Sequence, residues 1–345
     1  MIQSLQLFLY PFAILYDFAT RIRNYLYAIG TFKSSTSKIC TICVGNIRVG
    51  GTGKSPFVEY LLRYSIQKNI NTATLSRGYG RSTTGFLKAN THTLSNEIGD
   101  ESFQYFKKFK NKIDVYVDEK RAHGVEAITS ENININLIIL DDAYQHRSFN
   151  SKNTILLTEF SRPFFNDFLL PFGRLRESRS NAKRANCIVV TKCPEHIKTE
   201  EKIHFLNQIY QYSNINTPVF FTTVEYSQPV SVFENEFILN KNDNVVLVCG
   251  IDNPKPFIEF CKKKYNVVDV LLYPDHHSFT KSEIKQMTDK KYDNASILTT
   301  EKDTSRLIEF ESILINKPIF FLPIKVKFVE HEQDFINLFD SWVIA

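Results

Sequence analysis

One stretch of the chain has the residue types and the spacing of a phosphate-binding loop. The apolar run 41–44 leads into Gly45-Asn46-Ile47-Arg48-Val49-Gly50-Gly51-Thr52-Gly53-Lys54-Ser55-Pro56. In such a loop the glycines let backbone N–H groups turn toward an anion, the lysine reaches the β- and γ-phosphates, and the serine hydroxyl coordinates Mg²⁺. Proline suits the first turn of the helix that follows. The stretch therefore predicts a nucleoside triphosphate site formed by Gly50, Gly51, Thr52, Gly53, Lys54 and Ser55.

The match to the strict phosphate-loop pattern G-x-x-x-x-G-K-[ST] is incomplete, because Arg48 stands at the first glycine position. The alternative is a chance glycine-rich sequence in an ordinary loop. A strand-like run before the loop and a helix-start proline after it favour the phosphate site.

A second apolar run, from Asn136 to Leu140, ends in the carboxylates of Asp141 and Asp142. Such a run is typical of a parallel strand that is buried on both faces. An acid at the carboxyl end of that strand is the second half of a P-loop nucleotide site, where it holds Mg²⁺ directly or through water. We therefore expect ATP and Mg²⁺ as cofactors, with Ser55 and Asp141 as metal ligands. GTP is disfavoured, because Pro194 stands where guanine-binding P-loop proteins carry Asp.

Three further polar loops follow predicted strands, at the sheet edge where ligands of open α/β folds bind. They carry arginines in Ser76–Arg81, donor-rich side chains in Ala143–Arg147, and two arginines with a glutamate in Leu170–Glu177. A separate Asp100-Glu101 pair opens a predicted helix. A solvated turn would explain the arginines of Ser76–Arg81 as well, but their position favours contacts with phosphate. For Leu170–Glu177 the alternatives are an ion-paired surface loop and a catalytic loop, and its place at this sheet end supports the catalytic loop at least as well. For the acid pair, the residues alone favour complementing a helix dipole.

The 345 residues exceed one typical domain, so we expect two. The hydrophobic content of 43% indicates a globular protein, and a net charge of +5 is too mild to argue for nucleic acid. The same charge suits a protein resting on an anionic membrane surface. Six scattered cysteines, mostly in apolar runs, indicate buried thiols in a reducing compartment.

Alternating strand and helix patterns predict an α/β fold with two domains. A P-loop NTPase-type domain with a parallel sheet would span residues 31–225. A second, smaller α/β domain would span 226–330, and residues 331–345 would form a C-terminal helix. The predicted strands of the second domain are Asn244–Cys249, Val267–Tyr273, Ala295–Thr299 and Pro318–Val326.

Residues 1–30 are rich in Leu, Ile, Phe and Tyr, but Pro11 and Asp17 interrupt the apolar run before it could span a membrane. A signal peptide is not expected, because a basic n-region and a small-residue cleavage site are missing. At helical spacing one face carries Asp17, Arg21 and Asn24 and the other is apolar. The apolar face comprises Phe12, Leu15, Tyr16, Ala19, Ile22, Leu26 and Ile29. Such a helix could lie in the membrane interface or pack on the protein's own core, and the pattern does not choose between the two.

Seven motifs in order resemble the lipid A 4′-kinase family, the tetraacyldisaccharide 4′-kinases of Gram-negative bacteria. They are Val44-Gly45-Asn46 with Val49 to Pro56, Leu75-Ser76-Arg77-Gly78-Tyr79-Gly80, Gly99-Asp100-Glu101, Leu140-Asp141-Asp142 with Gln145-His146, Leu175-Arg176-Glu177, Asp275-His276-His277 and Thr300-Glu301-Lys302-Asp303. The family's P-loop also lacks the first glycine, which accounts for Arg48. The departures are Ser55 for Thr, Ala143-Tyr144 for Gly-Phe and Ser102 for Pro.

The resemblance implies an ATP-dependent kinase that phosphorylates the 4′-hydroxyl of a tetraacyl glucosamine disaccharide 1-phosphate in lipid A biosynthesis. It implies Asp100 as the base, assisted by His276 from the second domain. The other implied catalytic residues are Lys54 and Asp142, and the implied metal ligands are Ser55, Asp141 and Glu177. The implied substrate-binding residues are Arg77, Glu101, Arg121, Gln145, His146, Arg174 and Arg176.

The resemblance also implies a monotopic protein on the cytoplasmic face of the bacterial inner membrane. A substrate with several acyl chains stays in the bilayer, because each exposed CH₂ costs ~0.8 kcal/mol. The partners would be this lipid and the membrane surface, without nucleic acid or an obligate protein partner. The alternatives are a membrane-associated P-loop ATPase switch and a soluble small-molecule kinase. A switch would not need Asp100 and His276 to activate an alcohol, and a soluble kinase would not need the apolar N-terminal face.

Overall fold

The structure is a computed structural model that describes residues 8–233 and 236–343. Within these residues the strands form one sheet of nine and one of five. In chain order the strands are β1 (Cys40–Gly45), β2 (Thr72–Ser76), β3 (Leu87–Lys88), β4 (Asp114–Val117), β5 (Leu137–Asp141), β6 (Asn153–Glu159), β7 (Cys187–Thr191), β8 (Val219–Tyr226), β9 (Val230–Ser231), β10 (Asn244–Cys249), β11 (Asn266–Leu272), β12 (Ser296–Thr300), β13 (Ile319–Leu322) and β14 (Ile324–Phe328). The helices are α1 (Tyr10–Ala28), α2 (Lys54–Gln67), α3 (Ser95–Ile98), α4 (Asp100–Phe109), α5 (Arg121–Glu131), α6 (Thr199–Tyr210), α7 (Lys255–Lys264), α8 (Lys281–Met287), α9 (Glu301–Leu307), α10 (Glu311–Leu314) and α11 (Glu332–Val343).

The nine-stranded sheet positions the phosphate loop. Its order is β14-β8-β7-β6-β1-β5-β2-β4-β3, with antiparallel pairs at its two edges. The central strands are parallel and buried, as their continuous apolar sequences predict. Strand β1 lies between β5 and β6, and Val44 pairs with Asp141. The loop after β1 and the carboxylates after β5 therefore leave the sheet at the same edge, where ligands of such folds bind.

Helices cover both faces of this sheet, and β1 contributes to the hydrophobic core on each side. Cys43 packs in one core, whereas Ile42 and Val44 pack in the other. In the second core, Phe57 of α2 meets Phe335 of α11 edge to face at 5.6 Å. Burial of each such side chain stabilises the fold by roughly 1.5–3 kcal/mol. All six cysteines are free thiols, five of them buried, which agrees with the sequence interpretation.

The five-stranded sheet has the order β11-β10-β12-β13-β9. The single strand expected over Pro318–Val326 is wrong, because this segment forms β13 in one sheet and β14 in the other. Pro323 separates the two, and proline has no N–H to donate to a strand ladder. Since β14 pairs with β8, the chain returns to the first sheet after Pro323. The domain limits 31–225 and 226–330 stay a prediction, and the strand pairing favours an end of the second domain at Pro323.

Helix α1 rests on the protein with its polar side. The Tyr16 hydroxyl donates to the Arg176 carbonyl at 2.9 Å, and a guanidinium nitrogen of Arg23 donates to Glu177 Oε1 at 2.9 Å. The carbonyl of Asn24 accepts from an arginine of the loop after β5. The sequence prediction placed Tyr16 on the apolar face and Asn24 on the opposite one. Both instead face the protein, because their polar groups bond there.

The outward side of α1 is apolar. The exposed fractions of Phe12, Leu15 and Phe18 are 60%, 64% and 63%. Further exposed apolar side chains of α1 and the residue after it are Ile14, Ile22, Tyr25 and Ile29. This exposure contradicts the alternative in which the apolar face packs on the protein's own core. Among the helices of the described residues, none is long and apolar enough to cross a membrane.

Candidate active site

The phosphate loop joins the end of β1 to the start of α2. Gly50 has a φ of +108°, which L side chains rarely adopt. Side chains at the end of β7 hold the loop: Thr191 Oγ1 donates to the Thr52 carbonyl at 2.8 Å, and Lys192 Nζ donates to the Gly51 carbonyl. These contacts use carbonyl oxygens rather than the N–H groups that bind phosphate in such loops.

Arg48, at the position of the missing glycine, is 6% exposed. Its Nε donates to Asp167 Oδ2 at 2.6 Å, and its backbone forms a β-bridge with Leu175. The arginine therefore ties the phosphate loop to segment 167–175, which explains how the loop accommodates a long side chain there.

The two carboxylates after β5 have different surroundings. Asp141 is 5% exposed and accepts from the Tyr105 hydroxyl at 2.9 Å, and burial raises its pKa to about 6. Asp142 accepts from Arg176 at 2.8 Å and lies 3.7 Å from Lys54 Nζ. Partial burial acts to raise the pKa of Asp142, but Lys54 and Arg176 outweigh it and hold the pKa far below its usual range. Asp142 therefore stays ionised well into acid, whereas Asp141 takes up a proton as the pH falls through about 6.

The residues at this end of β5 fit a magnesium ion. Asp141 Oδ1 is buried and has no hydrogen-bond partner. The Tyr105 hydroxyl interacts with both Asp141 and Ser55, so these two oxygen ligands lie close together. Mg²⁺ prefers such ligands and completes its shell with water and substrate phosphates, so one or two protein ligands suffice. Across residues 8–233 and 236–343, no group of three or more His, Cys, Asp or Glu could hold a metal by itself.

A second group of charged residues joins the two sheets. Asp100 begins α4, and His276 lies in the turn after β11. His276 Nδ1 is 3.4 Å from Asp100 Oδ2, and Lys302 Nζ is 2.9 Å from His276 Nε2. Because an ammonium group can only donate, Nε2 is the acceptor. In the neutral imidazole the proton then lies on Nδ1, toward Asp100.

Asp100 carries a negative charge at neutral pH. Burial acts to raise its pKa, but the hydrogen bond to His276 and the charge of Arg306, 3.7 Å away, keep the pKa below its usual range. The same helix α4 carries Tyr105, which contacts Asp141. Tyr105 lies five positions after Asp100 along the helix, a rise of roughly 7.5 Å. One short helix thus links the Asp100–His276 pair to the candidate magnesium site.

A family model described as Tetraacyldisaccharide-1-P 4′-kinase matches residues 5–343. The chain belongs to the tetraacyldisaccharide 4′-kinase family. The tetraacyldisaccharide 4′-kinase of Flavobacterium psychrophilum is 43% identical over 329 residues, which covers 95% of this chain and 94% of the relative. That of Flavobacterium johnsoniae is 39% identical over 331 residues, with the same coverage. The crystal structure of LpxK from Aquifex aeolicus in complex with ATP has a TM-score of 0.76 and 26% identity, covering 99% of this chain and all of that one.

Membership confirms the family, the α/β fold and the kinase activity that the seven motifs predict. The family transfers phosphate to the 4′-hydroxyl of a tetraacyldisaccharide 1-phosphate, as its name states. A P-loop ATPase switch is therefore not favoured.

Several of the kinase's predicted substrate-binding residues contact the phosphate loop or the Asp100–His276 pair. Gln145 Nε2 and an Arg176 nitrogen donate to the Asn46 carbonyl at 2.8 and 3.1 Å. Glu101 Oε1 lies 3.8 Å from His276 Nε2. These residues form part of one connected network at the sheet edge.

The other predicted residues lie behind that network or have exposed side chains, and the Arg174 carbonyl accepts from the Val49 N–H of the phosphate loop at 2.8 Å. Arg121 is 1% exposed and donates to the backbone carbonyl of Asp141 at 3.5 Å, a geometry that favours support of β5 over contact with substrate. Burial and the nearby Arg121 lower the pKa of His146 to about 4, so its ring is neutral at pH 7. Arg77 and Arg174 are exposed.

Glu177 is buried, and both of its carboxylate oxygens accept from arginines, Arg23 of α1 and Arg184. This arrangement does not bring it to Ser55 or Asp141, the other predicted metal ligands. Its pairing instead connects α1 to the loop that carries Arg176.

Four residues of the kinase site were missed by sequence reasoning, namely Tyr105, Lys192, Lys302 and Arg306. Lys302 lies inside the motif Thr300–Asp303, and Lys192 directly follows a buried strand, so both positions carried a usable signal. Tyr105 and Arg306 lie within helices without any local pattern, and only their tertiary contacts identify them.

Proposed function

We propose that this kinase transfers the γ-phosphate of ATP to the 4′-hydroxyl of a tetraacyl glucosamine disaccharide 1-phosphate, with Asp100 as the base. The observation that carries the assignment is the 3.4 Å contact between Asp100, at the start of α4, and His276, in the turn after β11 of the second sheet. An alcohol nucleophile needs a positioned proton acceptor, and a nucleotide switch does not. The Aquifex aeolicus relative is described as a complex with ATP, which supports ATP as the donor.

Asp100 would receive the proton of the 4′-hydroxyl. The transition state of phosphoryl transfer is loose, with little bonding to the nucleophile, so a carboxylate of low pKa suffices. His276 would hold the carboxylate through its Nδ1–H, and Lys302 would keep the imidazole in that tautomer by donating to Nε2. The last two residues act on Asp100 rather than on the hydroxyl, and are positioning residues.

The donor side would use the phosphate loop and the end of β5. The loop N–H groups and Lys54 would bind the β- and γ-phosphates, and Asp142 would orient Lys54 from 3.7 Å. Ser55 and Asp141 would hold Mg²⁺, which supplies charge neutralisation on those phosphates when bound. Arg176, which bonds both Asp142 and the phosphate loop, would fix the two relative to each other.

We also propose that the kinase works on the cytoplasmic face of the bacterial inner membrane, with the outward side of α1 in the interface. A helix that rests on its protein ordinarily exposes its polar face, whereas α1 exposes Phe12, Leu15 and Phe18. The basic residues Arg21 and Lys33 are also exposed and suit anionic headgroups. Because the acyl chains keep the substrate in the bilayer, the enzyme has to meet it there.

A direct test supplies the full-length protein with Mg²⁺, ATP radiolabelled at the γ-phosphate and vesicles containing the tetraacyl disaccharide 1-phosphate. We expect a labelled lipid, with mass spectrometry locating the new phosphate at the 4′ position. ATP hydrolysis without labelled lipid would instead favour the switch. In a parallel reaction with a soluble sugar in place of the vesicles, transfer of label to that sugar but not to the lipid would favour the small-molecule kinase.

A further inference from the structure

The carboxylate of Asp252 lies against the phosphate loop, although it belongs to the segment between β10 and α7 of the other sheet. Its Oδ2 accepts from the backbone N–H of Gly51 at 3.3 Å and from Arg162 at 2.8 Å. Its Oδ1 lies 3.7 Å from a guanidinium nitrogen of Arg174. None of the roles proposed above uses Asp252 or Arg162.

These contacts resemble those of a bound phosphate. An anion at a P-loop receives backbone N–H groups from the glycines and is approached by cationic side chains. Here one carboxylate oxygen has both kinds of partner at once. A Cβ atom at Gly50 would lie 3.1 Å from Asp252 Oδ2, so a side chain at this place would push the carboxylate back by a few tenths of an ångström.

Arg162 is itself held at the edge of the first sheet. It bonds Glu159, the last residue of β6, at 2.9 Å, and β6 is the neighbour of β1 in the sheet. The guanidinium is therefore fixed beside the phosphate loop independently of Asp252. An anion that takes the position of Asp252 Oδ2 would lie within hydrogen-bond distance of the same guanidinium.

We propose that Asp252 and a phosphate group of the nucleotide compete for the Gly51 N–H and for Arg162, and that Arg162 becomes a phosphate ligand when ATP binds. The proposal rests on the assignment of the phosphate loop made above. It adds a nucleotide-binding residue that the motifs do not contain. It also implies that nucleotide binding releases the contact between Asp252 and the phosphate loop. This contact joins the part of the chain that carries His276 to the first sheet.

The competition should lower the apparent affinity for Mg·ATP by a measurable factor. The apparent affinity for a ligand falls in proportion to the fraction of molecules whose site is free. If Asp252 occupies the loop in most molecules, Asp252→Asn and Asp252→Ala lower the dissociation constant of Mg·ATP by roughly three- to tenfold. Removing a charge-assisted contact to phosphate, as in Arg162→Ala, raises the constant by roughly tenfold.

The experiment is calorimetric titration of the full-length protein with a non-hydrolysable ATP analogue and Mg²⁺, in the absence of lipid. Asp293→Asn is the matched control, because it makes the same change of charge in the same half of the chain, at an exposed ion pair with Lys317. Tighter binding by both Asp252 variants and unchanged binding by the control support the competition. Unchanged or weaker binding by both Asp252 variants overturns it, and absence of binding by the unmodified protein overturns the phosphate-loop assignment instead.

A double-variant cycle separates the two possible actions of Arg162. If Arg162 binds phosphate, its replacement by alanine weakens binding in the Asp252→Asn background as well. If it only holds Asp252, its replacement has no effect in that background, and the second half of the proposal is wrong. Arg162→Lys, which keeps the charge and the ion pair with Glu159, is expected to retain part of the affinity and shows that any loss is not due to misfolding.

Discussion

The donor side and the proposed acceptor side of this kinase differ in how the chain assembles them. The phosphate loop is one continuous stretch between β1 and α2, and the neighbouring strand β5 adds Asp141 and Asp142 in register. The acceptor side pairs Asp100 from the first sheet's edge with His276 from the second sheet. A motif that is local in sequence is therefore complete within one sheet, whereas the proposed base depends on how two sheets are held together.

This difference predicts that the two sides can be broken separately. Asp100→Ala should reduce the rate of phosphate transfer by roughly 10²–10⁴-fold, the usual contribution of a general base. The dissociation constant for Mg·ATP should stay within about twofold, since among the described residues Asp100 contacts His276, Ser305 and Arg306, which lie outside the phosphate loop. Lys54→Ala is the contrasting variant, in which both nucleotide affinity and rate should fall. Unchanged turnover in Asp100→Ala would remove Asp100 as the base.

The acceptor side also requires that the enzyme reach a lipid in the membrane, and we propose that α1 provides this membrane contact. Leu15→Gln combined with Phe18→Gln should weaken binding to anionic vesicles by roughly thirtyfold, from about 1 kcal/mol of lost apolar burial at each position. Ile133→Gln with Ile215→Gln is the matched control, because both isoleucines are more than three-quarters exposed and precede β5 and β8, at the opposite sheet edge. Equal vesicle binding by the two double variants, measured by flotation, would contradict the interfacial role of α1.

On the donor side, acid should weaken the metal site before it affects Asp100. The pKa of Asp141 is raised to about 6, so Asp141 takes up a proton as the pH falls through that value and then loses its attraction for Mg²⁺. Between pH 7 and pH 5 the Mg²⁺ concentration needed for half-maximal nucleotide binding should rise about tenfold from this group.

The phosphates of ATP titrate in the same range, so Asp141→Asn is the control for that acid effect. With this variant the ATP phosphates still titrate, but position 141 no longer has a carboxylate that can take up a proton. If the unmodified protein and Asp141→Asn have the same pH dependence, Asp141 is not the metal ligand.

The smallest expected effect concerns Tyr105, which lies between the two sides. Tyr105→Phe removes the hydroxyl that stabilises the charged form of Asp141, so the pKa of Asp141 should rise further and the Mg²⁺ affinity at pH 7 should fall about threefold. In a titration of Mg²⁺-dependent nucleotide binding, the pH at which the required Mg²⁺ concentration begins to rise should be higher in the variant. If that pH is the same in Tyr105→Phe and in the unmodified protein, Tyr105 does not tune the metal site.

The central sheet and the phosphate loop could be predicted because their signals are local. The predicted bounds of β10 agree with the structure, and Val44 and Asp141 pair as buried parallel strands do. The division of Pro318–Val326 between two sheets could not be read from an apolar run, since both strands continue the same hydrophobic pattern. Only Pro323 marked the point where the ladder breaks.

The orientation of α1 and the contacts of Asp252 escaped prediction for a different reason. Periodicity assigns residues to two faces, but it does not say which face meets the protein, and Tyr16 and Arg23 found partners in Arg176 and Glu177. Asp252 lies in an ordinary turn sequence, and its proposed role depends on a contact with Gly51, in the other half of the chain. Tertiary partners of this kind leave no pattern in a single sequence.

Arg176 links α1 to the catalytic edge, because its carbonyl accepts from Tyr16 and its guanidinium bonds Asp142. With the outward side of α1 resting in the membrane interface, as we propose, this link and the Arg23–Glu177 pair beside it set the height of the phosphate-transfer site above the bilayer. The sugar then has to rise only a short way while its acyl chains stay anchored. An amphiphile whose hydroxyl stands much higher or lower would bind the same surface and miss the base, so that height itself becomes a form of substrate selection.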